Sequence, residues 1–105
     1  MGPGLLEGVY QKCLLFELRS RGLKVEPMVL IPLMYKGHVL NKEYVADMIV
    51  ENEIILELKA VELLLPVHEA QLISYLHLAD KRLGFLINFN VRLLKDGFRR
   101  FVNNF

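Results

Sequence analysis

The chain has 105 residues, of which 53% are hydrophobic and 24% are charged, and its formal net charge is +1. This profile is typical of one globular domain and excludes a disordered chain, so we expect residues 1–105 to form a single domain. No apolar run approaches the roughly 18–20 residues that a membrane span needs, so no membrane partner is expected.

The single cysteine, Cys13, excludes an intramolecular disulfide and a zinc site made of cysteines. Because it lies among apolar residues with helical spacing, we predict that it is a small buried thiol. The first residues also lack the charged and apolar pattern of a secretory leader. A cytoplasmic location is therefore the default expectation.

Positive charge is concentrated near the C-terminal end of the chain. Residues 80–105 contain six basic and two acidic residues. A basic end can attract phosphates. Scattered surface charge serves solubility equally well, and this second interpretation is favoured when the basic end is taken alone.

The first predicted element is a helix that follows the breaker Gly2-Pro3-Gly4. Apolar residues between positions 6 and 14 keep helical spacing, and Gly22 is a suitable C-terminal stop. Glu7 would lie in the first turn of this helix. A carboxylate there is favoured by the helix dipole, which explains Glu7 without any function.

Three strands with short connections are predicted next. Val25 to Leu33 contains two prolines, each of which removes a ladder donor, so we expect an edge strand or an irregular one. Tyr35-Lys36-Gly37-His38 is a predicted turn, and a strand resumes near Glu43. The pattern indicates an antiparallel meander.

The stretch Val45–Lys59 is predicted to form two strands joined by a short polar turn. Side chains alternate faces along a strand, so Glu57 and Lys59 share one face. A three-residue loop would place Asp47 directly opposite Glu57. A two-residue loop without a bulge would put Asp47 on the other face and disperse the carboxylates.

After Lys59 the pattern predicts a helix from Pro66 to about Asp80, with Gln71 on a polar stripe beside its apolar side. The nearly continuous apolar run Leu83–Phe89 is typical of a strand that is buried on both faces, as in a parallel pairing. Asp96-Gly97 then predicts a hairpin turn before a last strand at Phe98–Val102.

Asp47, Glu57 and Lys59 together suit metal-dependent hydrolysis. Carboxylate oxygens, with the backbone carbonyl of Leu58, are ligands that Mg²⁺ or Mn²⁺ prefers. Such an ion activates water and neutralises charge that develops on a phosphodiester, and Lys59 could orient the water or stabilise that charge. An ordinary surface pair of lysine and carboxylate explains the triplet as well, so the motif alone is weak.

Several motifs in order give the chain a family resemblance. They are Gly4-Leu5-Leu6-Glu7-Gly8-Val9-Tyr10, Tyr35-Lys36-Gly37, Ala46-Asp47, Glu57-Leu58-Lys59-Ala60, His68-Glu69-Ala70-Gln71 and Leu86-Ile87-Asn88-Phe89-Asn90. The first is a literal Gly-x-x-Glu-x-x-Tyr. The set covers nearly the whole chain and resembles the GxxExxY family of small prokaryotic proteins, within the PD-(D/E)XK nuclease-like superfamily.

This resemblance implies an α/β domain with a restriction-endonuclease-like αβββαβ core, a central mixed sheet flanked by helices. It also implies that Asp47, Glu57 and Lys59 match the metal-binding and catalytic motif, with one or two Mg²⁺ or Mn²⁺ ions. Glu7 matches the acid of the first helix, and Gln71 matches a polar position on the helix behind the motif.

Two departures from the family pattern matter. Val45 stands where an arginine commonly precedes the aspartate by two residues. The family also usually carries a helical segment before the Gly-Pro-Gly, which we expect to be missing here. An apolar face left uncovered in this way would favour a homo-oligomer.

Two hypotheses follow from the sequence. The first is a Mg²⁺-dependent nuclease that hydrolyses DNA or RNA, without sequence specificity because no separate recognition module is predicted. The second is a non-catalytic domain that keeps the fold and binds nucleic acid or protein. Function has to be argued from the site, because a fold alone does not establish activity.

Overall fold

The computed structural model describes residues 3–89 and 97–103, and this part of the chain contains two helices and five strands. In chain order the elements are α1 (Pro3–Ser20), β1 (Val25–Tyr35), β2 (His38–Val50), β3 (Ile54–Lys59), α2 (Pro66–Leu78), β4 (Leu83–Asn88) and β5 (Phe98–Val102). The predicted αβββαβ order, followed by a C-terminal strand, is confirmed.

The five strands form one mixed sheet in the order β1-β2-β3-β4-β5. β3 and β4 are parallel because α2 carries the chain back between them, and the other pairs are antiparallel. β5 pairs with β4 in the antiparallel direction, and the strand that the predicted C-terminal hairpin would place before its turn lies outside the described residues. Asp96, the first residue of the predicted turn, lies outside the described residues.

Each face of the sheet packs against one helix. The α2 face buries a cluster that contains Leu33, Tyr44, Ala46, Ile49, Ile55, Leu72, Leu76 and Leu86. The α1 face buries Val25, Met48, Val50, Leu56, Leu58 and Ile87, with Leu14, Leu15 and Leu18 of α1 packed against them. The predicted sheet flanked by helices is thus present, and burial of these side chains is its main stabilising contribution.

β1 lies at the edge of the sheet, as its two prolines predict. Its pairing with β2 is irregular between Pro32 and Met34. The turn to β2 is made by Lys36 and Gly37, with φ values of 50° and 76°. Positive φ at both central residues is typical of a type I′ hairpin turn, whose twist matches that of the strands.

Two predictions about α1 need correction. The helix begins at Pro3, so Glu7 lies beyond the first turn and the helix dipole does not explain it. Cys13 is exposed, not buried. The helix carries apolar side chains on its exposed side as well, among them Val9 and Phe16. The periodicity of apolar residues therefore could not identify the buried side.

The ends of the two helices agree with the sequence signals. α1 ends before Gly22, whose φ is 84°, and the Leu23 N–H donates to the Leu18 carbonyl at 3.2 Å. α2 begins with Pro66 at its N-terminus, as predicted. His68 Nδ1 accepts a hydrogen bond from the Leu65 N–H at 3.0 Å, so this histidine caps the helix.

Candidate active site

Asp47 and Glu57 meet where the ladder between β2 and β3 stops. The loop Glu51–Glu53 pairs Val50 with Ile54, which confirms the register of a three-residue loop. The pairing ends at Met48 and Leu56, one residue before the two acids. The Leu58 N–H donates to Asp47 Oδ2 at 2.8 Å, and the Asp47 N–H donates to Glu57 Oε1 at 3.5 Å. The carboxylates therefore occupy space that a continued ladder would fill.

A cavity of about 130 Å³ opens between α1 and this end of the ladder. It is lined by Glu7, Gly8, Gln11, Met28, Asp47 and Leu58. Glu7 Oε1 accepts a hydrogen bond from the Ala60 N–H at 3.0 Å, directly after β3. The structure thus brings the predicted first-helix acid to the same cavity as Asp47.

Gln11 belongs to this cavity, and the sequence analysis missed it. Its Nε2 donates to the Asp47 carbonyl at 3.0 Å. The available signal was its spacing, because Gln11 follows Glu7 by four residues and such pairs share one side of a helix.

Tyr44 is a second residue that the sequence analysis missed. Its hydroxyl donates to Glu57 Oε1 from the α2 side of the sheet. Tyr44 is 5% exposed and its ring stacks on Tyr75 of α2, with ring centroids 3.8 Å apart. Glu57 is therefore held between a buried hydroxyl and the backbone of Asp47.

The environment raises the pKa of three acidic groups at this site, of which Tyr44 is buried and Asp47 and Glu57 are partly buried. Burial, and then the negative charge of Asp47, raises the pKa of Glu57 to about 7. Burial also raises the pKa of Asp47, although the hydrogen bond from Leu58 and the charge of Lys59 oppose this rise. Burial and the charge of Glu57 raise the pKa of Tyr44, so its hydroxyl remains a donor. Such a site favours the binding of a cation, which would stabilise both carboxylates.

Lys59 follows Glu57 by two residues, on the same face of β3, and is half-buried. Its positive charge lowers the pKa of both Asp47 and Glu57. The charges of the three predicted residues, Asp47, Glu57 and Lys59, therefore influence one another.

Among the predicted site residues, Glu7, Asp47 and Leu58 line the cavity, and Glu57 and Lys59 interact with Asp47 from outside its lining. Gln71 is the predicted residue that does neither. Its side chain is exposed, and in the described part of the chain no hydrogen bond connects it to Asp47, Glu57 or Glu7. Gln71 lies one helical turn before Tyr75, whose ring stacks on Tyr44. Helical periodicity predicted that Gln71 lies on a polar stripe of α2 but could not give its distance from β3.

Asn88 fixes the backbone that leaves the site. It is 1% exposed, its Oδ1 accepts from the Val61 N–H at 3.1 Å, and its Nδ2 donates to the Val61 carbonyl at 2.8 Å. Val61 follows β3 by two residues, so this pair of bonds holds the chain just beyond Lys59. A buried asparagine with both ends bonded is a positioning group.

A divalent cation fits this donor set. The donor set contains two carboxylates and not more, because within residues 3–89 and 97–103 no three side chains of His, Cys, Asp or Glu are arranged to hold a metal ion. Mg²⁺ is commonly held by one or two carboxylates together with carbonyls and waters. Asp47 lines the cavity, which has room for an ion with a few waters at ~30 Å³ each, and Glu57 adds a second carboxylate beside Asp47, outside the cavity lining.

The Leu58 carbonyl completes the predicted set of metal ligands. The Phe89 N–H donates to the Lys59 carbonyl at 2.8 Å, so that carbonyl points toward the β4 side. Successive carbonyls of a strand point to opposite sides, and the Leu58 carbonyl therefore points toward β2, past the last ladder pair. This direction is the side on which Asp47 lies.

The comparison with known families agrees with this geometry. The sequence matches the PD-(D/E)XK nuclease superfamily over residues 1–101. The chain belongs to that superfamily. Asp47 and the Glu57-Leu58-Lys59 run, which the sequence resemblance predicts to match the superfamily motif, lie close together at the end of the β2–β3 ladder.

A solved structure described as "Crystal structure of SSO0001" has the same fold, with a TM-score of 0.70 and 22% sequence identity. The match covers 97% of this PD-(D/E)XK chain but 52% of that one, so the chain spans about half the length of that protein. No curated protein matches the sequence. Neither described helix has the length and apolar character needed to cross a membrane.

Proposed function

We propose that this protein is a Mg²⁺- or Mn²⁺-dependent nuclease of the GxxExxY branch, which hydrolyses phosphodiester bonds of DNA or RNA. The observation that carries the proposal is the pairing of Asp47 with Glu57 at the end of the β2–β3 ladder, beside Lys59 and the cavity. Two raised pKa values beside a cavity are typical of a functional site.

Each residue has a defined role in this proposal. Asp47, Glu57 and the Leu58 carbonyl hold one or two ions, and when bound these ions activate water and neutralise charge on the phosphate. Lys59 orients the attacking water or stabilises the developing negative charge. Glu7 holds the Ala60 backbone, which fixes the end of β3 beside the cavity.

Metal-dependent cleavage by matched variants tests the proposal. We expect wild-type protein with millimolar Mn²⁺ to nick supercoiled plasmid or cut single strands, and Glu57→Gln to lose at least about 100-fold in rate. Glu53→Gln, which removes an exposed carboxylate from the loop of the same hairpin, should retain full activity. Equal rates for the three proteins would indicate a contaminating nuclease and contradict the proposal.

A non-catalytic binding module is the second candidate function. It is favoured by the hydrogen bonds that both carboxylates already accept within the fold, Glu57 from the Tyr44 hydroxyl and Asp47 from the Leu58 N–H. This alternative predicts nucleic-acid or protein binding that is unchanged in Glu57→Gln. A filter-binding titration with and without Mn²⁺ separates the two functions.

The role that the resemblance gives to Gln71 remains a prediction with its own test. If Gln71 supports the carboxylates through Tyr75 and Tyr44, Gln71→Ala lowers the cleavage rate without changing the Mn²⁺ affinity. A rate equal to that of wild type would remove Gln71 from the site.

Self-association and a cytoplasmic location are also part of the proposal. Large apolar side chains are exposed along the β1–β2 hairpin, including Leu30, Val39 and Val45. Such a surface favours pairing with a second copy. Light scattering should give a dimer mass for wild type and a monomer mass for Val39→Glu; a monomer in both would contradict self-association.

A further inference from the structure

The side chains of β1 and β2 change faces at the same level of the hairpin. On β2, Ala46 packs in the α2-side cluster and Met48 in the α1-side cluster, although residues two apart normally share a face. On β1, Val25 packs on the α1 side and Val29 on the α2 side in the same way. Both strands therefore turn over at one shared point.

That point lies at Met28 and Asp47. The register pairs Pro27 with Met48 and Val29 with Ala46, so neither strand carries an extra residue between these pairs. Met28 has a φ of 51°, in the left-handed region. The turnover therefore coincides with a left-handed backbone at Met28 and not with a bulge.

A left-handed methionine is unfavourable by itself. The conformation costs ~1–2 kcal/mol in residues with a Cβ and persists only where the surroundings hold it. Burial of its side chain does not account for it, because Met28 is 59% exposed. Met28 lines the cavity of the candidate site, which is where strained backbone is concentrated in enzymes.

The backbone of Asp47 has left the ladder at this level. Its carbonyl accepts from Gln11 Nε2 at 3.0 Å, and its N–H donates to Glu57 Oε1 at 3.5 Å. A regular antiparallel strand gives these groups to the backbone of its neighbours. Side chains from α1 and β3 thus hold the peptide groups of Asp47 in a rotated position, and its carboxylate reaches the Leu58 N–H.

We infer that Met28, by its left-handed backbone, and Gln11, by its hydrogen bond, are positioning residues that turn the Asp47 carboxylate toward Leu58 and the cavity. The orientation itself holds without a metal ion. Its use, the presentation of a metal ligand, rests on the proposed function.

Substitutions with opposite tolerance of positive φ test the role of Met28. Gly and Asn adopt the left-handed region readily, whereas a β-branched valine does not. Met28→Gly and Met28→Asn should keep the amide resonance of Leu58 in the metal-free protein, and Met28→Val should shift it. Met34→Val, the same change at an exposed methionine of the same strand without positive φ, is the matched control and should leave the resonance unchanged.

Metal affinity provides the second measurement. Electron paramagnetic resonance should show that Met28→Gly and Met28→Asn bind Mn²⁺ with the affinity of wild type. Met28→Val should bind about tenfold more weakly, as is typical when an outer group that orients a ligand is lost. Gln11→Met removes the hydrogen-bond donor but keeps a side chain of similar size, and it should weaken Mn²⁺ binding to a similar degree. It should also shift the amide resonance of Met48, because the peptide group of that amide includes the Asp47 carbonyl.

The outcomes distinguish this inference from the proposed function. If Met28→Val or Gln11→Met leaves the resonances of Leu58 and Met48 in place, the inference is wrong whatever the metal does. If those resonances respond as expected but wild type binds no Mn²⁺, the positioning of Asp47 stands and the nuclease proposal fails. Should Met28→Val not fold, Gln11→Met alone decides the question.

Discussion

At the scale of single residues, the proposed metal chemistry depends on the charge of Glu57. Its carboxyl lies between the hydroxyl of Tyr44 and the backbone of Asp47, and its pKa is raised to about 7 from 4.5. Glu57 therefore changes charge near neutral pH. The sequence predicted this residue but not its environment, because Tyr44 becomes a neighbour only when β2 and β3 pair.

Glu57 should make the metal-free protein less stable as the pH rises. The folded state holds the proton more tightly than the unfolded chain, so this contribution is fully present below about pH 4.5 and is lost as the pH approaches 7. The loss is about 3 kcal/mol. Urea denaturation between pH 4.5 and 8 should show this decline in wild type and a smaller one in Glu57→Gln. A wild-type stability that increases over this range would contradict the raised pKa.

Affinity for Mn²⁺ should show the opposite pH dependence. The ion requires an ionised Glu57, so binding should strengthen by roughly tenfold per pH unit below about pH 7 and level off above it. Titration calorimetry in buffers of different ionisation enthalpy would detect the released proton. A flat profile from pH 5.5 to 8 would exclude Glu57 as a ligand.

At the scale of helices and strands, local sequence signals predicted most of what is observed. Turn residues such as Lys36-Gly37 and the helix start at Pro66 are local, and the three-residue loop set the register that joins Asp47 to Glu57. Gln11 and Gln71 show the limit of such signals. Gln11 contacts a residue 36 positions away, and the side of a helix on which a residue lies does not say what that side meets.

The packing of α2 on β4 leads to a prediction at Gly84. A Cβ at this position would lie 3.0 Å from Leu76 Cδ2 and 3.3 Å from Leu72 Cδ1, and both leucines are fully buried. Gly84→Ala should therefore destabilise the protein by about 1–3 kcal/mol. Thermal and urea denaturation would measure the change.

Gly8→Ala is the control for this change. No atom of the described residues lies within 4 Å of a Cβ built there, apart from its own helix and chain neighbours. Alanine in a helix interior is favoured over glycine, so Gly8→Ala should stabilise the protein by roughly 0.5–1 kcal/mol. If Gly84→Ala were as stable as Gly8→Ala, α2 would have room to move away from β4.

At the scale of the whole molecule, the site forms where α1, β2 and β3 meet. Glu7 and Gln11 come from the helix, Asp47 from one strand and Glu57 from the other. A cation held here would join parts of the chain that are distant in sequence. Its binding free energy would then add to the free energy of unfolding.

Mn²⁺ should therefore raise the midpoint of thermal unfolding. At a free concentration 100 times the dissociation constant, the gain is about 2.7 kcal/mol. Asp47→Asn should lose this gain, while Glu53→Gln should keep it. An equal increase in both variants would point to binding elsewhere on the surface.

The prolines of β1 have a consequence for the behaviour of the protein at high concentration. An open sheet edge is a template on which further strands can add, and this leads to fibres. In the sheet formed by residues 3–89 and 97–103, β1 presents Pro27 and Pro32 at one edge, and β5 presents the exposed arginines Arg99 and Arg100 at the other. Growth by strand addition is thus discouraged at both edges, so a second copy would pack on the exposed apolar side chains of the β1–β2 hairpin rather than lengthen the sheet.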